Sequence, residues 1–243
     1  MKISVIGDSI SSYSGITSNI IDAAPSYYYP HSDYYEDGTG VDSVNKTWWK
    51  LAIQQLGTLV KVDSVGSSTV GNYYGTEQSR CMNQQSRVNN LGSASTSSSS
   101  HPDMVMIFGG FNDLLLSDAS GYEQSYGSGY HIDRFVNNYS NLVRMIFERY
   151  SNSITVMCIT PYRCGLLTHW NTSSYITRFN NCCSGIGTVV NHYRNYGYDC
   201  KLVDLHELNL NQTNHTADEN DHPTSTGMQA IANKVVYVQQ YGY

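Results

Sequence analysis

The chain has 243 residues, 40% of them hydrophobic and only 14% charged, with a formal net charge of −6. That length suits one domain of two or three layers, expected here over residues 1–243, and an acidic balance with no basic stripe argues against nucleic acid as a partner. No apolar run approaches the ~18 residues of a membrane span, and with 21 tyrosines the surface is polar through Ser, Asn, Thr and Tyr more than through charge.

Lys2–Ile6 reads as a short β-rich strand that breaks into Gly7-Asp8-Ser9-Ile10-Ser11-Ser12, a glycine turn presenting a serine where a helix would begin. A core strand at residues 2–6 leaves no apolar stretch ahead of a cleavage site, so no signal peptide is visible. The compartment stays open between the cytoplasm and a larger or phage-type assembly. Next comes a tyrosine-dense segment, Tyr27-Tyr28-Tyr29-Pro30 and Tyr34-Tyr35, closed by Asp37-Gly38-Thr39-Gly40. Its prolines and glycines, without periodicity, predict a long loop. Trp48, Leu51, Ala52 and Leu56 share one helical face over 48–56, and Gly57 ends that helix. Leu59–Val65 is the second strand, followed by Gly66-Ser67-Ser68.

Residues 79–91 read as a modest helix, and the serine-rich run 93–100 as a flexible surface connection. Asp103–Phe108 is the third strand and runs into Gly109-Gly110-Phe111-Asn112-Asp113, with 114–130 expected as loop. The 3.6-residue period is clearest over 132–150, from Ile132 and Phe135 to Phe147 and Tyr150. Ile154–Ile159 is the fourth strand, residues 172–196 a second long helix stopped by Gly197, and Leu202–Leu205 the fifth strand. A polar loop, 209–222, precedes a last helix over 224–240. The six cysteines lack paired metal spacing and fall largely in apolar patterns, which predicts buried thiols more than a disulfide framework.

Strands and helices thus alternate five times, and the strands are apolar throughout, as expected when both sheet faces are covered. The expected fold is a three-layer α/β/α sandwich on a five-stranded parallel sheet of order 2-1-3-4-5, with right-handed crossovers. That order brings the loops after strands one, two and three to one rim.

Ester hydrolysis by a serine needs a nucleophile, a base and donors for the oxyanion. Ser9 offers the hydroxyl. The Ser9 N–H, the Gly66 N–H and the Asn112 side-chain amide are the candidate oxyanion donors, since each follows a strand ending at the same rim. His222 is the candidate base: it follows the fifth strand, precedes the last helix and is set by Pro223. Glu219, three residues earlier, is placed to curl back to the imidazole. His206, at a strand end, is a rival base read as structural, and Asp113 is read as structuring its turn. A metal site from His215, Asp218, Asp221 and His222 matches no usual ligand spacing, so neither metal nor cofactor is expected. Tyr28 and Tyr29 are placed to wall a substrate site, where tyrosines stack on sugar faces.

Gly7-Asp8-Ser9, Gly66, Gly109-x-x-Asn112-Asp113 and His222-Pro223, in that order, resemble the four blocks of the SGNH/GDSL hydrolase family. The resemblance runs from residue 3 to about 232. It implies a flavodoxin-like fold and metal-independent esterase or deacetylase activity, with Ser9 as nucleophile, Gly66 and Asn112 as oxyanion partners and His222 as base. Trp48-Trp49-Lys50 also resembles a subgroup of bacterial and phage-like members. Two departures stand out. The family usually carries aspartate where Glu219 stands, so the orienting acid is Glu219, Asp218 or neither; and the second block, Gly66-Ser67-Ser68, leaves either the Gly66 or the Ser67 amide for the hole. The expectation is a serine esterase removing a small acyl group, acetyl foremost, from a carbohydrate. A glycan-binding module with weak or lost catalysis and a lipase or thioesterase of the same family are the alternatives. Oligomeric state is not legible.

Overall fold

The computed structural model describes residues 1–13, 40–71, 78–116, 132–164, 173–210 and 222–242. The tyrosine segment with Tyr28 and Tyr29, the stretch 117–131, and Asp218 and Glu219 lie outside them.

Five strands form one parallel sheet: β1 (Lys2–Gly7), β2 (Thr58–Ser64), β3 (Met104–Phe108), β4 (Thr155–Ile159) and β6 (Cys200–Val203), in spatial order β2-β1-β3-β4-β6. Apart from a two-residue ladder outside the main sheet, this is the expected 2-1-3-4-5 order. β3 and β4 are buried at every position because helices cover both faces. On one face α1 (Trp48–Leu56) packs against α6 (Ser225–Tyr241); on the other α4 (Ile132–Tyr150) packs against α5 (Ser173–Asn195). The 3.6-residue stripe of α4 is core, with Phe135, Tyr139, Leu142, Val143, Ile146 and Tyr150 all buried.

Register places the functional rim. Gly7 at the end of β1 pairs with Ser64 of β2 on one side and Phe108 of β3 on the other. Three strands therefore stop at one level, and their following loops leave the sheet side by side, at the crevice where strand order reverses.

Four expectations shift. The helix predicted over 79–91 is a 3-10 turn, Gln78–Arg80, and one short helix, α2 (Gln85–Asn89). The residues after β3 form a short helix, α3 (Phe111–Leu116), so the loop expected from 114 begins later. The fifth strand lies two residues earlier than predicted, because Cys200 takes a place in the ladder opposite Val156. The serine-rich run is a closed turn: Ser93 N–H donates to Ser100 O at 3.0 Å, and His101 Nδ1 lies 3.0 Å from Ser93 O. The small ladder outside the main sheet, β5 (Arg163–Cys164) with β7 (Asn209–Leu210), is too short for periodicity to reveal. Cys81, Cys158, Cys182, Cys183 and Cys200 are buried, as expected of structural thiols.

Candidate active site

β1 ends in a glycine because the chain must fold tightly back on itself. A Cβ on Gly7 would lie 2.6 Å from Ser11 Oγ and 3.0 Å from Phe108 O. The next residues wind into a single 3-10 turn, Ser9–Ser11. Asp8 caps it: its buried carboxylate accepts from Ile10 N–H at 3.0 Å. Ser12 Oγ donates to Ser9 O at 2.7 Å. From below, two fully buried indoles grip the same turn, Trp48 Nε1 donating to Ser11 Oγ at 3.1 Å and Trp49 Nε1 to Ser11 O at 3.0 Å. The Trp48-Trp49 pair thus fixes the turn on which Ser9 stands.

His222 reaches Ser9 from the far end of the chain. It sits just before α6, whose start is capped by Thr224 Oγ1 accepting from Gly227 N–H at 3.4 Å. His222 Nε2 lies 2.8 Å from Ser9 Oγ across 213 residues of sequence. Both residues are only 7% exposed. With the imidazole proton on Nδ1, the hydroxyl donates to Nε2, the geometry of a nucleophile beside its base.

The second loop follows β2. Ser68 N–H donates to Val65 O at 3.1 Å, closing a β-turn with Gly66 and Ser67 at its corners. Ser67 has a φ of 58°, in the left-handed region that favours glycine. Such a conformation in a serine costs roughly 1–3 kcal/mol and persists only where neighbours hold it. Neighbours do. Asn112, on the first turn of α3, donates from Nδ2 to Ser68 O at 2.9 Å. The adjacent Asp113 carboxylate accepts from Val70 N–H at 3.0 and 3.2 Å. Asp113 is therefore a structural anchor between the second and third loops, as read from sequence. An amide nitrogen carries two hydrogens; one of Asn112's is committed to Ser68, which fixes the amide plane and leaves the second for another acceptor. Gly110, just ahead of α3, adopts a φ of 120°, which an L side chain rarely takes, and so turns the chain from β3 into that helix.

Of the residues singled out in the sequence, Ser9 and His222 meet directly, while Gly66 and Asn112 belong to loops joined through Ser68. Glu219, Tyr28 and Tyr29 lie outside the described residues. His206 is engaged elsewhere: it stacks on Phe179 at 5.2 Å between ring centroids, and its Nε2 lies 2.9 Å from Asn180 Oδ1. Among the described residues no group of three or more His, Cys, Asp or Glu is arranged to hold a metal ion, and no helix is long and apolar enough to cross a membrane. Sequence reading missed Arg87, a fully buried cation of α2 paired with Asp63 Oδ1 at 2.7 Å. The available signal was Asp63 itself, a carboxylate inside an apolar strand, which demands a partner.

The class is thus a flavodoxin-like three-layer α/β protein with a hydrogen-bonded serine–histidine pair at the carboxyl rim of its sheet. A family model for GDSL-like lipase/acylhydrolases matches residues 1–168. The chain belongs to that family, and membership supports acyl-ester hydrolysis as its class of activity. No curated protein matches the chain. Among solved structures, a protein described as a GDSL-like lipase from Bacteroides ovatus is 20% identical with a TM-score of 0.63, over 98% of this chain and 97% of that one. Another so described, from Bacteroides uniformis, is 23% identical with a TM-score of 0.61, over 100% and 96%. An active-site mutant of a family two carbohydrate esterase from Clostridium thermocellum is 18% identical with a TM-score of 0.64, over 100% of this chain and 64% of that one. At these identities the likeness is one of fold.

Proposed function

We propose that the protein is a serine esterase that removes small acyl groups, acetyl foremost, from a carbohydrate. The observation that carries this reading is the 2.8 Å contact between Ser9 Oγ and His222 Nε2. In the proposed cycle Ser9 Oγ attacks the ester carbonyl as its proton passes to His222 Nε2. The tetrahedral oxyanion is met by the Ser9 N–H, an amide of the Gly66–Ser67 turn and the uncommitted Asn112 Nδ2 hydrogen. Collapse returns the proton to the leaving sugar hydroxyl and leaves an acyl-Ser9 ester. Water, deprotonated by His222, then attacks that ester and releases the acid. Glu219 is the proposed orienting acid for His222, and Tyr28 and Tyr29 the proposed wall against the sugar. No cofactor takes part in this scheme. The carbohydrate preference is supported by the carbohydrate esterase among the structural neighbours and by the tyrosine-dense segment after the nucleophile turn.

p-Nitrophenyl acetate turnover tests the mechanism. Ser9→Ala is expected to lose at least ~10³-fold in kcat, and undiminished turnover in that variant refutes it. An acyl-chain series tests the substrate class: activity falling steeply beyond short acyl groups supports a deacetylase, and activity rising with chain length identifies a lipase or thioesterase instead. Binding of acetylated glycan that is neither hydrolysed nor altered by His222→Ala would identify a binding module.

A further inference from the structure

Arg87 lies beneath the rim, fully buried, and takes no part in the scheme above. A guanidinium has five N–H donors, and the structure records five hydrogen bonds from this one. Nε donates to Asp63 Oδ1 at 2.7 Å. Nη1 donates to Ser68 Oγ and to Arg80 O, both at 2.6 Å. Nη2 donates to Asp63 O at 2.7 Å and to Gly7 O at 3.2 Å.

An ion pair whose only task was to fasten α2 to β2 would need Asp63 alone. Three of the bonds go elsewhere, and two of those three reach the turns at the rim. Gly7 O is the carbonyl two residues ahead of Ser9, and Ser68 is the residue whose main-chain oxygen holds the Asn112 amide. One rigid fork therefore touches the nucleophile turn and the turn of the candidate oxyanion amides, and reaches Asn112 through Ser68. Ser68 is held from both sides, by Arg87 at its hydroxyl and by Asn112 at its carbonyl, directly after the left-handed Ser67. A lysine, with three donors on a flexible stem and no planar fork, cannot reproduce these contacts.

We infer that Arg87 is a positioning residue of the hydrolytic site, locking the Gly66–Ser68 turn in register with the turn of Ser9. The inference rests on the reading of Ser9 and His222 as nucleophile and base. Its effect falls on the transition state, because oxyanion donors act only once the tetrahedral charge develops. A misplacement of about 1 Å costs ~10²-fold in rate.

The test compares wild type, Ser9→Ala, Arg87→Lys and Ser68→Ala. For each, kcat and KM with p-nitrophenyl acetate, inhibition by a boronic acid that mimics the tetrahedral intermediate, folded fraction by circular dichroism, and a crystal structure are recorded. Arg87→Lys is expected to lower kcat ~10–100-fold with KM within about threefold, to weaken boronic acid inhibition in proportion, and to displace residues 66–68 relative to Ser9. Ser68→Ala, which keeps the Arg87–Asp63 pair, is expected to lose ~3–10-fold by the same route. If Arg87→Lys fails to fold, Ser68→Ala decides alone. Folded variants with kcat and boronic acid inhibition within about twofold of wild type and the turn in place would overturn the inference, as would lost stability at unchanged kcat per folded molecule. Should turnover survive in Ser9→Ala, the hydrolase reading fails, and the position of residues 66–68 in the crystal structures still decides whether Arg87 sets the register.

Discussion

Gly7→Ala puts the packing of the turn that carries Ser9 under direct strain. The added methyl would sit 2.6 Å from Ser11 Oγ, 2.8 Å from Ser11 Cβ and 3.0 Å from Phe108 O. The strand cannot yield, since Gly7 is paired on both sides, so Ser11 must move. Ser11 is itself held by the indoles of Trp48 and Trp49 at 3.1 and 3.0 Å. Overpacking of this kind costs ~1–3 kcal/mol, and each buried hydrogen bond weakened adds ~0.5–1.5 kcal/mol. The expected loss is about 2–4 kcal/mol, a large part of a typical domain's ~5–15 kcal/mol. Moving Ser11 also moves Ser9 off the 2.8 Å contact with His222, so turnover should fall ~10²-fold. Urea unfolding followed by tryptophan fluorescence measures the first effect and p-nitrophenyl acetate the second. In Gly7→Ala/Ser11→Gly the two closest clashes vanish, and a coupling of at least about 1 kcal/mol should appear in the double-mutant cycle. A single Gly7→Ala variant within about 0.5 kcal/mol of wild type with intact turnover would show that Ser11 does not hold Ser9 in place.

Asn112→Ala removes both the bond to Ser68 O and the proposed oxyanion hydrogen, so kcat should drop ~10²–10³-fold with little change in KM; a change confined to KM would assign Asn112 to substrate binding instead. Cys183, on α5 with its thiol against Pro161 O just after β4, has that thiol pushed up to about 12, first by burial and then by the Asp204 carboxylate. The folded state holds that proton more tightly than the unfolded chain. Its contribution to stability is therefore whole below the ordinary thiol value of 9.0 and is lost as pH rises toward about 12. Stability measured against pH should fall over that window, less steeply in Cys183→Ala; an identical slope in the variant would contradict this. At pH 8 the peptides holding Cys81, Cys158, Cys182, Cys183 and Cys200 should resist alkylation until the protein is unfolded, read by peptide mass mapping.

Elements with a long or clean hydrophobic signature were legible in the sequence. The helix from Ile132 to Tyr150 and the one from Trp48 to Leu56 fall where their periodicity places them, because each buries one continuous stripe. The parallel sheet followed from alternation and from largely apolar strands, and its order is the doubly wound arrangement natural for five strands. What escaped is set by contacts distant in sequence. α3 is six residues long, too short for periodicity, and is fixed by Asp113 reaching Val70 and by the positive φ of Gly110. The fifth strand begins at Cys200, where pairing with β4 outweighs the more apolar look of the residues further on.

The site divides the same way. Among the candidates, Ser9 and Asn112 were visible because each closely follows a strand end, and His222 because a histidine stands just before the last helix; each carries chemistry by its residue type. The grip of Trp48 and Trp49 on Ser11 was not visible, since an indole in an amphipathic stripe reads only as core. Arg87 escaped for the opposite reason: a cation in a polar stretch reads as surface until Asp63, 24 residues away, is found to share its burial.

Whether Ser9 carries the acyl group, with His222 as its base, is decided by trapping the intermediate. Wild-type protein mixed with p-nitrophenyl acetate is quenched in acid within the first turnovers and mapped by peptide mass spectrometry. One acetyl group is expected on the peptide holding Ser9, placed on Ser9 by fragmentation and absent in Ser9→Ala and His222→Ala. Acetyl on Ser11 or Ser12 in place of Ser9, or full turnover with no acetyl on that peptide, would contradict that role of Ser9.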